Sequence, residues 1–265
     1  MSPSEFVARV RGHVQRTNSR IFFRRPLPIN SDVPIVSFTF DDFPRSALLQ
    51  GGAILKNYGA VGTYYASFGL LGKQSDTGTM FVKEDVAMLL EQGHELGCHT
   101  FGHCHAGATK PAAFEQSILR NRQALQELFP GVCLSSLSYP IEQPRLATKW
   151  RAARHFACCR GGGQTFNGPV ADLNCLEAYF LEKSKDNWRQ VQDVIGQNRK
   201  LRGWLIFVTH DIAETPTPWG CTARFFEETV RATAASGSRI LPVIQAWQEL
   251  SRVRPNTQQW QARIV

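Results

Sequence analysis

Pro34-Ile35-Val36-Ser37-Phe38-Thr39-Phe40 runs directly into Asp41-Asp42. The run is β-branched and aromatic, as a buried strand requires, and it ends on two carboxylates. Outward from it the pattern alternates. Helical periodicity over 47–58 is followed by an extended run over 61–66, a helix over 83–91, and a short extended run over 94–98. A long helix is predicted over 112–129, a strand over 134–139, and a helix over 148–154. Strands at 156–159 and 176–181, a helix over 188–199, a buried strand over 204–209, a helix over 222–235, a strand over 239–243 and a helix over 245–250 complete the chain. Strands alternating with helices imply a parallel sheet covered by helices. Seven or eight such units in 265 residues predict an α/β protein, an irregular (β/α) barrel rather than an open sheet.

The length suits one large domain. No repeat or linker divides it, so 31–265 is expected to form the barrel, and 1–30 a basic amino-terminal extension. In that extension Phe6, Val10 and Val14 recur at helical spacing opposite Arg9, Arg11 and Arg16. Such a helix packs on its own domain or touches an anionic membrane surface. No apolar run has the length of a membrane span, and the arginines interrupt any signal-peptide core, so a cytoplasmic protein is expected. Seven cysteines, an odd number without a framework of spacings, read as reduced thiols. The net charge of +8 favours anionic partners or simply solubility. No motif supports binding to nucleic acid.

In such barrels the chemistry lies where strands end. Asp41 and Asp42 follow the first strand, His99 and His103 the third, and His210 the strand over 204–209. Paired carboxylates are costly without a cation, and on a continued strand they would point to opposite sides, one free to ligate and one to act as a base. A helix cap is the alternative use of an Asp there. His99 and His103 share a face if the segment makes a helical turn, and with Asp42 they form a two-histidine, one-carboxylate set with open positions, the form of a catalytic metal site. Cys98 reads as core, and Cys104 and His105 as neighbours rather than ligands. His210 is placed to serve as a general acid, or else to brace the loop carrying Trp219.

Ser37-Phe38-Thr39-Phe40-Asp41-Asp42 resembles the first motif of the NodB-type polysaccharide deacetylases, carbohydrate esterase family four. Gly93-His94-Glu95-Leu96-Gly97-Cys98-His99-Thr100-Phe101-Gly102-His103 is similar to the second motif nearly residue for residue. Leu137-Ser138-Tyr139-Pro140 is similar to one form of the third, and Val208-Thr209-His210-Asp211 looks like the last. The resemblance spans roughly 34–250. It implies a metal-dependent hydrolase that removes acetyl groups from an N-acetylated sugar, carried on an oligosaccharide, a polysaccharide or a lipid-linked glycan. Asp41 matches the general base, Asp42, His99 and His103 the metal ligands, and His210 the general acid. The metal is expected to be zinc, or else cobalt or another divalent ion. Tyr139, Pro140, Ile141 and Trp219 are candidate substrate contacts. The chain departs from the pattern in four places. Phe43 replaces the usual Gly, giving a bulkier loop floor. No Arg accompanies Tyr139-Pro140 to tether the base. Ile141 stands where a backbone N–H often holds the oxyanion, but the Gly expected two residues beyond Pro140 is missing. Asp172 is the best remnant of the fourth motif. A related amidohydrolase acting on a cyclic amide or ureide, and a degenerate glycan-binding module, are the competing readings.

Overall fold

The computed structural model describes residues 17–141, 143–185 and 187–252. The expected helix over Phe6, Val10 and Val14 lies outside them. Twelve strands occur among the described residues: β1 Pro26–Pro28, β2 Ile35–Phe40, β3 Thr63–Ala66, β4 Gln74–Ser75, β5 Gly78–Thr79, β6 Glu95–Cys98, β7 Ser136–Ser138, β8 Cys158–Arg160, β9 Val170–Asp172, β10 Tyr179–Phe180, β11 Trp204–Thr209 and β12 Arg239–Ile240. The helices are α1 Ala53–Asn57, entered through a wide π-type turn at Ala47–Gly52, α2 Lys83–Glu91, α3 Pro111–Leu128, α4 Leu146–Ala152, α5 Trp188–Leu201, α6 Ala223–Ala235 and α7 Val243–Arg252. Among the described residues no helix is long and apolar enough to cross a membrane.

The main sheet is parallel, in the order β10-β11-β2-β3-β6-β7-β8. It curls into a half-barrel, the irregular (β/α) architecture expected. One edge of β2 is shared: β12 pairs with Ile35 and Val36 at its start, and β3 with Thr39 and Phe40 at its end. The central strands of a covered parallel sheet are buried on both sides and mostly apolar. β2 and β11 are accordingly buried at every residue. Phe38 stacks on Phe207 at 5.4 Å and Phe40 on Tyr64 at 4.6 Å between ring centroids.

β6 shows how one short strand serves two ends of the barrel. At its start His94 Nδ1 accepts the Gly62 N–H at 2.9 Å. Glu95 accepts from Thr63 Oγ1 at 2.7 Å, from the Ile244 N–H at 2.9 Å and from Ser136 Oγ, tying β3, β7 and α7 together. A side chain at Gly97 would put its Cβ 2.4 Å from the Tyr65 ring, so only glycine fits there. Four residues at about 3.3 Å each then carry the chain to His99 at the other end.

Candidate active site

The β2 ladder ends at the Asp41 N–H, which donates to the Thr209 carbonyl at 3.0 Å. Asp42 and Phe43 then turn left-handed, with φ of 62° and 57°. The strand geometry therefore does not persist through the pair, and both carboxylates face one cavity instead of opposite sides. The same turn sends Phe43 inward. It is fully buried and stacks on Phe81 at 4.8 Å, so it thickens the core and not the loop floor. Left-handed φ is costly for such residues and persists only where the surroundings impose it.

The segment 99–103 is not a helical turn. Thr100 and His103 are left-handed, with φ of 62° and 51°, and this irregular loop brings the imidazoles to 5.0 Å between centroids. Asp42, His99 and His103 offer ligand atoms within 4.8 Å of one another, the only such group among the described residues. Asp42 Oδ1 lies 3.6 Å from His99 Nε2 and 3.2 Å from His103 Nε2. The other Asp42 oxygen accepts from Thr77 Oγ1 at 3.1 Å, a residue of the β4–β5 hairpin that carries no sequence signal.

The donor set fits a divalent cation. His99 Nδ1 sits 2.9 Å from the Ser138 carbonyl, which can only accept, so the ring proton is on Nδ1 and Nε2 is a bare acceptor. Burial pushes the His99 imidazolium down to about 4, so the ring is neutral at ordinary pH. Asp42 Oδ1 is buried and lacks a hydrogen-bond partner among the described residues. A carboxylate oxygen facing an imidazole lone pair repels it unless a cation lies between. Cys98, buried against Asn121, and Cys104, bonded to Ser117, stand outside the set as expected.

Asp41 is tethered after all. Arg160, at the end of β8, donates to both of its oxygens, at 2.5 Å to Oδ1, and also to Ser138 Oγ, which donates to Asp41 Oδ2 at 3.3 Å. The arginine that the third-motif strand β7 lacks comes from the next strand over. Burial pushes the Asp41 carboxyl up, but Arg160, His99 and His210 outweigh it and hold the group at about 2. A signal for Arg160 existed: an arginine closing the buried run Phe156–Cys159 has to find an anion.

Asp172 is not at the site. It accepts the Arg25 N–H at 2.9 Å and the Lys149 ammonium at 2.6 Å, a structural ion pair. The carboxylate that reaches the cavity near His210 is Glu182, whose Oε2 is buried without a hydrogen-bond partner among the described residues. Burial raises its pKa, while His210 pulls it back. His210 Nδ1 donates to the Trp219 carbonyl at 3.1 Å, which turns Nε2 away from that bond. Asp211 holds the same loop through the Thr217 N–H at 2.8 Å. Tyr139, Ile141 and Trp219 line the cavity, the last two largely exposed. Pro140 is buried and is not among the lining residues; its carbonyl accepts the Ala106 N–H. The cavity measures about 1020 Å³.

The histidine–carboxylate cluster and the tethered aspartate lie together at the mouth of a parallel half-barrel. Residues 29–155 match the polysaccharide deacetylase family model. Several solved structures share the fold. A putative polysaccharide deacetylase from Mycobacterium smegmatis matches with a TM-score of 0.61 at 15% identity, over 85% of this chain and 93% of that one. A family 4 acetyl xylan esterase from Clostridium thermocellum, in complex with a cobalt ion, matches with a TM-score of 0.56 at 17% identity, over 81% and 91%. The peptidoglycan deacetylase PdaC from Bacillus subtilis matches with a TM-score of 0.54 at 14% identity, over 83% and 92%. No curated protein sequence matches the chain.

Proposed function

We propose that this protein is a metal-dependent deacetylase that hydrolyses the amide of an N-acetylated sugar, with zinc as the ion. The observation that carries the reading is the unpartnered Asp42 oxygen facing two imidazole nitrogens, beside a tethered Asp41, in a cavity of about 1020 Å³. The match of residues 29–155 to the polysaccharide deacetylase model supports the reaction class, and the cobalt complex of the acetyl xylan esterase supports a divalent ion in this fold. Asp42, His99 and His103 would hold the ion, which when bound supplies Lewis acidity at the acyl carbonyl and acidifies water.

The chain's own groups do the rest. Arg160 and Ser138 fix the Asp41 carboxylate so that one oxygen can take the proton of the attacking water. His210, oriented by the Trp219 carbonyl, gives a proton to the departing amine from Nε2. Trp219, Tyr139 and Phe180 offer aromatic surface to a sugar ring. The size and openness of the cavity favour a glycan over a small cyclic amide or ureide, and the complete polar set argues against a binding module without activity.

The test is acetate release from N-acetylated oligosaccharides together with metal content. The wild type should bind about one divalent ion per chain and release acetate. His99→Ala with His103→Ala should lose both, since each removes one of three protein ligands. A double variant that keeps a stoichiometric ion overturns the assignment. A wild type that cleaves ureides but no N-acetyl sugar transfers the reading to the amidohydrolases.

A further inference from the structure

The first 25 residues hold six arginines, Arg9, Arg11, Arg16, Arg20, Arg24 and Arg25, against Glu5 alone. Five of the eight net positive charges of the protein are therefore concentrated there. The described part of this segment is helical over 17–21 and then presents Ile21, Phe22 and Phe23 in succession, 58%, 51% and 52% exposed. Three consecutive exposed apolar side chains are unusual on a soluble surface.

Their backbone is held firmly. The buried Lys149 ammonium donates to the Ser19 and Phe22 carbonyls at 2.5 and 2.9 Å, and Asn174 Nδ2 donates to the Phe23 carbonyl at 2.7 Å. Phe23 has φ of 51°, a conformation that glycine or asparagine adopts more easily. At this anchored position half of the Phe23 side chain is left to solvent. Next to Lys149 on α4, Trp150 is also exposed, with the Arg154 guanidinium over its ring at 5.0 Å. Consecutive apolar and aromatic side chains beside the exposed Arg24 are the composition of a surface that sits in a lipid headgroup layer. Thr17 and Arg20 of the same segment line the cavity.

We infer that the surface formed by Ile21, Phe22 and Phe23 docks on an anionic lipid bilayer and sets the cavity mouth at the headgroup level. Charge complementarity selects the occupant: basic side chains gather at an anionic membrane and not at a neutral one. The consequence for substrate rests on the deacetylase reading. A mouth placed at the membrane surface takes a glycan carried on a lipid anchor, whose N-acetyl group lies within reach of the interface.

The full chain is sedimented with vesicles of phosphatidylcholine alone or with roughly one third phosphatidylglycerol, at low and high salt. Binding should appear with phosphatidylglycerol only and weaken as salt rises. Phe22→Asp with Phe23→Asp should reduce it at least tenfold, and Arg24→Glu by a smaller factor. Both variants should hydrolyse a soluble aryl acetate at the wild-type rate, which shows that they fold. Equal binding to both vesicle types, no binding to either, or unaltered binding by the variants overturns the proposal. So does a dimer that dissociates in the phenylalanine variant without any vesicle binding, because the occupant is then a second copy. Amide hydrolysis of a lipid-anchored N-acetylated aminosugar in these vesicles should exceed that of its free headgroup. Vesicle binding without hydrolysis of either substrate sustains the docking surface and removes the deacetylase reading instead.

Discussion

Arg160 carries more of the site than any residue outside the Asp42–His99–His103 cluster. It is buried, its ion pair with Asp41 is buried, and its guanidinium lies 5.4 Å from the Tyr65 ring and 5.8 Å from the Phe180 ring. Removing one partner of a buried pair leaves the other charge uncompensated, at a cost of roughly 3–5 kcal/mol. Arg160→Gln should keep the metal, since it touches no ligand, while turnover falls by about 10²-fold as Asp41 loses its orientation. Arg160→Lys should recover only part, because an ammonium does not reproduce the guanidinium fork. Loss of metal in Arg160→Gln, measured by elemental analysis, would show that it supports Asp42 instead. His210 is tested by its leaving group. Amine expulsion needs a proton and phenolate expulsion does not, so His210→Ala should cripple amide hydrolysis and spare an aryl acetate. Equal losses on both would make His210 a brace for the Trp219 loop, the role its bond to the Trp219 carbonyl also allows.

At the scale of elements, β6 separates a structural end from a chemical one. His94 at its start is nearly buried and accepts the Gly62 N–H, a bond that requires a neutral ring. Burial lowers its pKa to about 4 from an ordinary 6.5. The unfolded chain then binds a proton below about pH 6.5 that the folded chain refuses, so stability is retained above that value and falls as the pH drops toward 4. Between pH 7 and 5 the loss should be on the order of 2 kcal/mol. Denaturant titrations at the two pH values should show it, and His94→Gln, which keeps an acceptor, should flatten that part of the slope. An identical slope in the variant would assign the loss to other groups. The element boundaries were largely legible because β2 and β11 are rich in β-branched and aromatic residues, with only Ser37 and Thr39 polar inside β2. The strand expected over 134–139 shrinks to Ser136–Ser138, and that over 176–181 to Tyr179–Phe180 with a 3₁₀ turn after it, because the chain leaves the sheet to build the cavity wall. The β4–β5 hairpin was not legible, since two-residue strands have no periodicity to read.

For the whole molecule, the cluster gathers three ligands from two segments about 60 residues apart in sequence, so only the folded chain offers it. A ligand that binds the native state alone stabilises it by mass action, by about 2.7 kcal/mol at a hundredfold excess over Kd. Chelator-treated protein should therefore melt several degrees lower and recover on adding zinc. His99→Ala with His103→Ala should melt at one temperature with or without the ion. A zinc-induced rise that survives in the double variant would place the stabilising ion elsewhere. The half-barrel supplies the geometry: β2, β6 and β11 run parallel, so Asp41, His99 and His210 all emerge at one end.

The apolar runs, their alternation with helical segments and the polar residues at their ends determined the fold class and named Asp41, Asp42, His99, His103 and His210, because a parallel sheet delivers every strand end to the same mouth. Local pattern could not determine how those groups are held. The left-handed turns at Asp42, Phe43, Thr100 and His103 overrode the expected strand and helical geometry. Packing turned Phe43 into the core, and Asp172 went to Lys149 while Glu182 took the place near His210. The tether of Asp41 was decided by the neighbour relation of β7 and β8, which sets Ser138 beside Arg160 in register. A contact between residues 119 positions apart is made by the closing of the sheet, and no spacing along the chain records it.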